Sequence, residues 1–135
     1  MSQLTRSRRT LCAIVKNRAK LNESIYYVDK DILDLIEINF EFVEAKSWYK
    51  LYQNKTDKSF WRLDIWDKYQ TQFFLKLETI FDWENFDARE LEINLLKKTR
   101  GVTEEKCKWQ NCQNKALNNL VFCEKHAYKE MGIRK

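Results

Sequence analysis

The chain has 135 residues, of which 44% are apolar and 19 (5 Trp, 6 Tyr and 8 Phe) aromatic, and its formal net charge is +5. This is one domain with room for a small appendage, apolar enough for a real core and not a disordered chain. No apolar run approaches the roughly 18 residues that span a bilayer, so no membrane partner is expected. Two glycines and no proline are too few for a many-turned β-sandwich and favour helices around one small sheet.

The charge is spread unevenly. Residues 1–20 carry six basic groups and no acid, residues 21–100 carry 12 basic and 16 acidic groups, and residues 101–135 carry seven basic and four acidic. A basic N-terminal segment (1–20), a mildly acidic main domain (21–101) and a basic tail (102–135) follow from this and from the motifs below. Arg6, Arg8 and Arg9 lead the first segment, and Leu11, Ile14 and Val15 fall on one helical face, as in a short surface helix. An Arg-rich, acid-free start also has the composition of an organelle transit peptide, whereas the apolar run is too short for a secretory signal. Cys12 sits in the apolar patch, where a free thiol acts as a small hydrophobe.

A helix is expected from Asp29 or Asp31, since Asp caps the free N–H groups of a first turn. Ile32, Leu35, Ile36, Phe40 and Val43 recur at helical spacing as its apolar stripe. Asp34, Glu37, Glu41 and Glu44 fall outside the stripe, either as a solvated face or as an acidic surface for a basic partner.

Residues 48–63, WYKLYQNKTDKSFWRL, set two short aromatic-rich runs around a polar centre and read as a β-hairpin. Alternation puts Trp48, Lys50 and Tyr52 on one face, with Tyr49 and Leu51 on the other. Across the loop, Phe60, Arg62 and Asp64 share a face opposite Trp61, Leu63 and Ile65. Periodicity does not say which face is buried. The run TQFFLKLETIF (71–81) reads as a third strand at Phe73–Leu77, with a helix as the competing assignment. Asp87 and Glu90 have capping-box spacing for a helix lined by Leu91 and Leu95. Lys97, Lys98 and Arg100 suit its C-terminal end, and Gly101 its exit.

In the tail, Cys107, Cys112, Cys123 and His126 follow C-x4-C-x10-C-x2-H, and His126 is the only histidine of the chain. Two close pairs separated by a loop suit a tetrahedral ion, and three thiolates with one imidazole point to structural Zn²⁺ with no open coordination position. Disulfides or unrelated buried thiols are the alternatives. The tail resembles small zinc modules of pattern C-x4-C…A-L…F-C-x2-H-A, with Ala116, Leu117, Phe122 and Ala127 at the apolar positions. The fold class expected is therefore α+β: a small antiparallel sheet packed with helices, followed by a zinc-binding module.

Catalysis is not expected. With His126 on a metal no histidine remains as general acid or base, and Gly101 and Gly132 alone make no phosphate loop. Asp64 and Asp67 have the spacing of ordinary solvated carboxylates. Nucleic acid is one partner class: Lys106, Lys108, Trp109, Lys115, Lys125, Lys129 and Arg134 form a basic surface with one stacking ring, and Arg6, Arg8 and Arg9 a backbone-gripping arm.

The other class is protein. Trp48, Leu51, Tyr52, Asp57, Phe60, Trp61 and Leu63 match W-x2-L-Y-x4-D-x2-[YF]-W-x-L, and residues 28–65 resemble the hairpin of the polymorphic-toxin immunity family called immunity protein 27. The resemblance implies a cytoplasmic protein that binds and neutralises one cognate bacterial toxin by occlusion, without catalysis. The contacts expected on that reading are Trp48, Tyr52, Arg62 and Trp66, joined by Asp34, Glu37 and Glu41 if the toxin is basic. Each of these aromatics has core packing as its alternative role.

Overall fold

The structure, a computed structural model, describes residues 21–66 and 70–135. The chain divides into two compact units, one ending at Phe86 and one running from Asp87 to Lys135. The basic start with Arg6, Arg8 and Arg9, the apolar patch around Cys12, and Asp67 lie outside the described residues.

In the first unit a short strand β1 (Ile25–Tyr27) precedes helix α1 (Lys30–Asn39). Asp29 caps α1 as expected, its side chain accepting from the Ile32 N–H at 2.8 Å. The helix stops four residues short of Val43. Phe40–Lys46 (FEFVEAK) is strand β2, and Val43 is exposed where the register slips between Phe42 and Glu44. Phe and Glu alternate from Phe40 to Phe42, a period-two pattern that pairing with the hairpin rewards over helical continuation.

The hairpin is strands β3 (Tyr49–Asn54) and β4 (Phe60–Asp64), and β5 (Phe73–Leu77) is the expected third strand. All pairings are antiparallel, in the order β1-β5-β4-β3-β2, so β4 is central and β2 is an edge. The fold is α+β, with a five-stranded sheet where two or three strands were expected.

Both faces of β4 are covered. On one face Trp61 and Leu63 join Phe40 and Phe74 beneath Ile32, Leu35 and Ile36 of α1. Trp61 stacks on Phe74 at 4.9 Å and meets Phe40 edge-on at 6.0 Å. On the other face Leu51, Phe73, Leu75 and Leu77 are buried together with Arg62 and Asp64. Asp64 accepts from the Phe73 N–H at 2.9 Å, so it ties β5 to β4 and is not the solvated carboxylate its spacing suggested.

Side chains at the hairpin loop hold its turn together. Asp57 accepts from the Ser59 N–H at 2.9 Å, and the Trp61 indole donates to Ser59 Oγ at 2.9 Å. Asn54, almost fully buried, accepts from the N–H groups of Thr56 and Asp57 and from Asn39 Nδ2. Lys58 takes φ +67° in the five-residue loop, a position that glycine usually fills.

In the second unit helix α2 spans Arg89–Arg100, followed by strands β6 (Val102–Lys106) and β7 (Lys115–Leu117) and helix α3 (Glu124–Lys129). Asp87 does not cap α2 as predicted: Ala88 is the N-cap, and Asp87 accepts from the Arg89 N–H and forms an ion pair with its guanidinium at 2.7 Å. The buried face of α2 carries Ile93 and Leu96, with Leu91 and Leu95 half-buried beside it. Ile93 and Leu96 pack with Leu117, Ala127 and Tyr128, so α2 belongs to the tail's core. The boundary accordingly falls after Phe86, and the expected division near residue 101 is corrected. Gly101 does mark the end of the helix. Its φ is +79°, its N–H reaches Lys97 O, and an added Cβ would lie 3.0 Å from Asn118 Nδ2.

Candidate metal centre

Cys107 and Cys112 stand at the two ends of a tight turn that links β6 to β7. The Cys107 N–H donates to Asn114 O at 2.8 Å and the Cys112 N–H to Trp109 O at 3.1 Å, which curls the chain around the sulfurs. Asn111 sits at φ +64°, a region that Asn tolerates better than most residues. Cys123 is the N-cap of α3, and one turn along that helix His126 points back toward it. The short hairpin thus supplies two ligands and the helix start the other two.

The four ligand atoms lie within 4.8 Å of one another. Cys112 Sγ is 3.8 Å from Cys123 Sγ, and His126 Nδ1 is 3.6 Å from Cys107 Sγ and 3.3 Å from Cys123 Sγ. A tetrahedral ion with metal–sulfur bonds of about 2.3 Å and a metal–nitrogen bond of about 2.0 Å needs separations of about 3.8 and 3.6 Å. These three pairs are close to those separations, and the widest of the six, at up to 4.8 Å, would have to close by up to about 1 Å. The three thiols are buried and free in this structure.

The surroundings act on Cys107 and Cys112 in opposite directions. Burial acts to raise the Cys107 pKa, but hydrogen bonds from the Cys123 and Trp109 backbones and from the neighbouring sulfurs outweigh it and hold it below the ordinary thiol value. The Asn114 backbone lowers the Cys112 pKa, yet burial and the nearby Cys107 and Cys123 sulfurs leave it raised. A divalent cation between the sulfurs would offset the like charge of bound thiolates. Trp109 stacks on the His126 ring at 4.8 Å and 16°, and its other contact is edge-on with Phe122 at 6.0 Å. Ala116, Leu117 and Ala127 are buried, and half-buried Phe122 packs against the three cysteines.

The residues expected to touch a partner divide by burial. Arg62 does not qualify. It is 3% exposed, its Nη1 donates to Trp83 O and Phe86 O at 3.3 and 3.0 Å, and its guanidinium lies 4.2 Å over the Tyr49 ring. Its place in a strand covered on both sides is the reason. Trp66 is half-buried, with its indole donating to Thr71 O at 2.9 Å and its ring edge-on to Tyr49. Tyr52 is half-buried against Phe42, and burial raises its phenol pKa.

Trp48, at 64% exposure, is the most open of the expected aromatic contacts. Glu37 and Glu41 are exposed and Asp34 is half-buried. Phe42 and Val43 were missed as surface residues because they were read into a helix; both are exposed on edge strand β2. Lys106, Lys108 and Lys115 are exposed, and Trp109 is partly so. Among the described residues no helix is long and apolar enough to cross a membrane. Comparison with protein-family models, with curated proteins and with solved structures finds no match.

Proposed function

We propose that this chain is a non-catalytic binding protein of the toxin-immunity type, which neutralises a cognate bacterial toxin in the cytoplasm by covering its working face. Structural Zn²⁺ in the Cys107, Cys112, Cys123 and His126 cluster holds its C-terminal unit. The donor set supports zinc, since three soft thiolates and an imidazole in a closed tetrahedron are its preferred structural environment.

The observation that carries the binding reading is the open edge of the sheet. Among the described residues strand β2 pairs with β3 on one side only, and Phe42, Val43 and Trp48 are exposed on it and on the turn that follows. Large apolar side chains grouped on an edge strand favour self-association unless a partner covers them. A partner strand can add to such an edge through main-chain hydrogen bonds while side chains set specificity. Trp48 has the size and rigidity of an interface anchor, and an interface of about 800 Å² per partner is reachable around it. Glu37 and Glu41, both exposed, give the neighbouring surface a charge that suits a basic toxin. The resemblance of residues 28–65 to an immunity hairpin supports the same reading.

The test is rescue in a bacterial host. The reading frame adjacent to this one is expressed alone and together with this protein, and survivors are counted. The neighbour is expected to kill, this protein to restore growth, and Phe42→Asp/Trp48→Asp to abolish rescue while circular dichroism stays unchanged. A neighbour that is harmless, or that kills regardless, overturns the proposal.

A further inference from the structure

A charge pattern in the C-terminal unit goes unused by the protein-binding reading. From Lys106 to Lys129 there are five lysines, at 106, 108, 115, 125 and 129, against one acid, Glu124. All five lysines are exposed. Glu124 is turned toward Lys97 at 3.7 Å, with its side chain only 12% exposed. Among the described residues none of the five lysines is in an ion pair. Lys106 and Lys115 are direct cross-strand partners in the β6–β7 hairpin, where like charges repel. Lys115 Nζ meets only a backbone oxygen, Glu104 O at 3.1 Å. A polyanion would relieve that pair.

One exposed ring of this unit is fixed before any ligand arrives. Trp109 is stacked on His126, steadied at its edge by Phe122 and still 39% exposed. It stands next to Lys108 in the chain, and the histidine it stacks on stands next to Lys125. Lys125 and Lys129, four residues apart on α3, share the side of the helix that neighbours His126.

We infer that this face binds single-stranded nucleic acid, with the lysines on phosphates and Trp109 under a base. Helix α3 has six residues, about 9 Å, and its third residue belongs to the candidate metal site, so it is not built to read a duplex groove. A fixed, exposed ring set among cations suits unstacked bases. An acidic peptide would use the lysines but leave the ring without a role.

The test uses the full-length zinc-loaded protein and a labelled 20-nucleotide single strand, DNA and RNA in turn, over a salt series. Binding of either strand is expected, with log K falling by about 0.7 per tenfold rise in salt for each phosphate neutralised. Lys108→Ala/Lys125→Ala should weaken it about tenfold and make the slope shallower by about 1.4, for two lost contacts. Trp109→Leu should weaken it about tenfold at unchanged slope, as loss of stacking does. If Trp109→Leu loses zinc, the lysine pair, which supplies no ligand, carries the test. Three results each overturn the inference: no binding at low salt, binding unaffected by Lys108→Ala/Lys125→Ala, or displacement by duplex or polyglutamate as readily as by single strand.

Discussion

Arg62 shows how a single residue can be misread until its neighbours are known. Arginine is common at interfaces, and alternation places this one on a hairpin face with Phe60 and Asp64, but alternation does not reveal that the face is covered. In place, the guanidinium carbon lies over the Tyr49 ring and Nη1 donates to two carbonyls of the 83–86 segment, with Nε lacking a hydrogen-bond partner. Its plane is what lets it do both. Arg62→Ala should destabilise the first unit by about 3 kcal/mol in urea unfolding, because Trp83 O and Phe86 O lose their donor and a cavity opens between Leu51 and Leu75. Arg62→Lys should cost nearly as much, since an ammonium has neither the plane nor the fork. Arg62→Met, which removes the need to bury a charge, should cost least. A loss under about 0.5 kcal/mol for Arg62→Ala, the range of ordinary surface substitutions, would show that the residue does not brace the sheet.

At the level of elements, the hairpin loop carries a pH dependence whose sign follows from Asp57. Partial burial acts to raise its pKa, but the hydrogen bonds from the Ser59 side chain and backbone, with Lys76 nearby, outweigh it and hold it below the ordinary 3.8. A carboxylate lowered on folding contributes stability that is full above its unfolded pKa and is lost as pH falls through the folded one. Asp57→Asn should therefore be less stable than wild type at pH 7, and the two stability curves should converge as pH falls below the ordinary carboxylate range; parallel curves across that range would remove Asp57 from the account. This loop was legible because period-two alternation on both sides of a polar centre has few other readings. The strand at Phe73–Leu77 and the cap at Asp29 were legible for similar local reasons. The end of α1 was not. Phe40 and Val43 continue the helical stripe as well as they open a strand, and only the pairing with β3, a non-local event, decides between them. β1, three residues long, leaves too little pattern to detect. The four metal-site residues were legible because side chains with that chemistry at that spacing seldom coincide, whereas the exposed edge depends on a strand order that no local pattern encodes.

For the whole molecule, the consequential feature is that the division after Phe86 assigns α2 to the unit that holds the candidate metal. Residues 87–135 are few for an independent core, and their buried cluster is small: Ile93, Leu96, Leu117, Ala127 and Tyr128. Helix α3 is too short to hold itself; the Lys108 N–H to Val121 O bond and the packing of Leu117 on Ala127 and Tyr128 tie it to the β6–β7 hairpin, and a metal on the four candidate ligands would add a further link. Purified protein is expected to contain about one zinc per chain, and a strong chelator should abolish amide-exchange protection from Val102 to Lys129. Protection in the five-stranded sheet should persist. Helix α2 distinguishes the two ways of dividing the chain. If its stability comes from Leu117, Ala127 and Tyr128, its protection falls together with the metal unit; if it belonged with the sheet, as a boundary near residue 101 implies, it would stay protected in chelator. Substoichiometric zinc with protection unchanged throughout would remove the structural metal from the account, because a unit that holds α3 and the β6–β7 hairpin without an ion has no need of one.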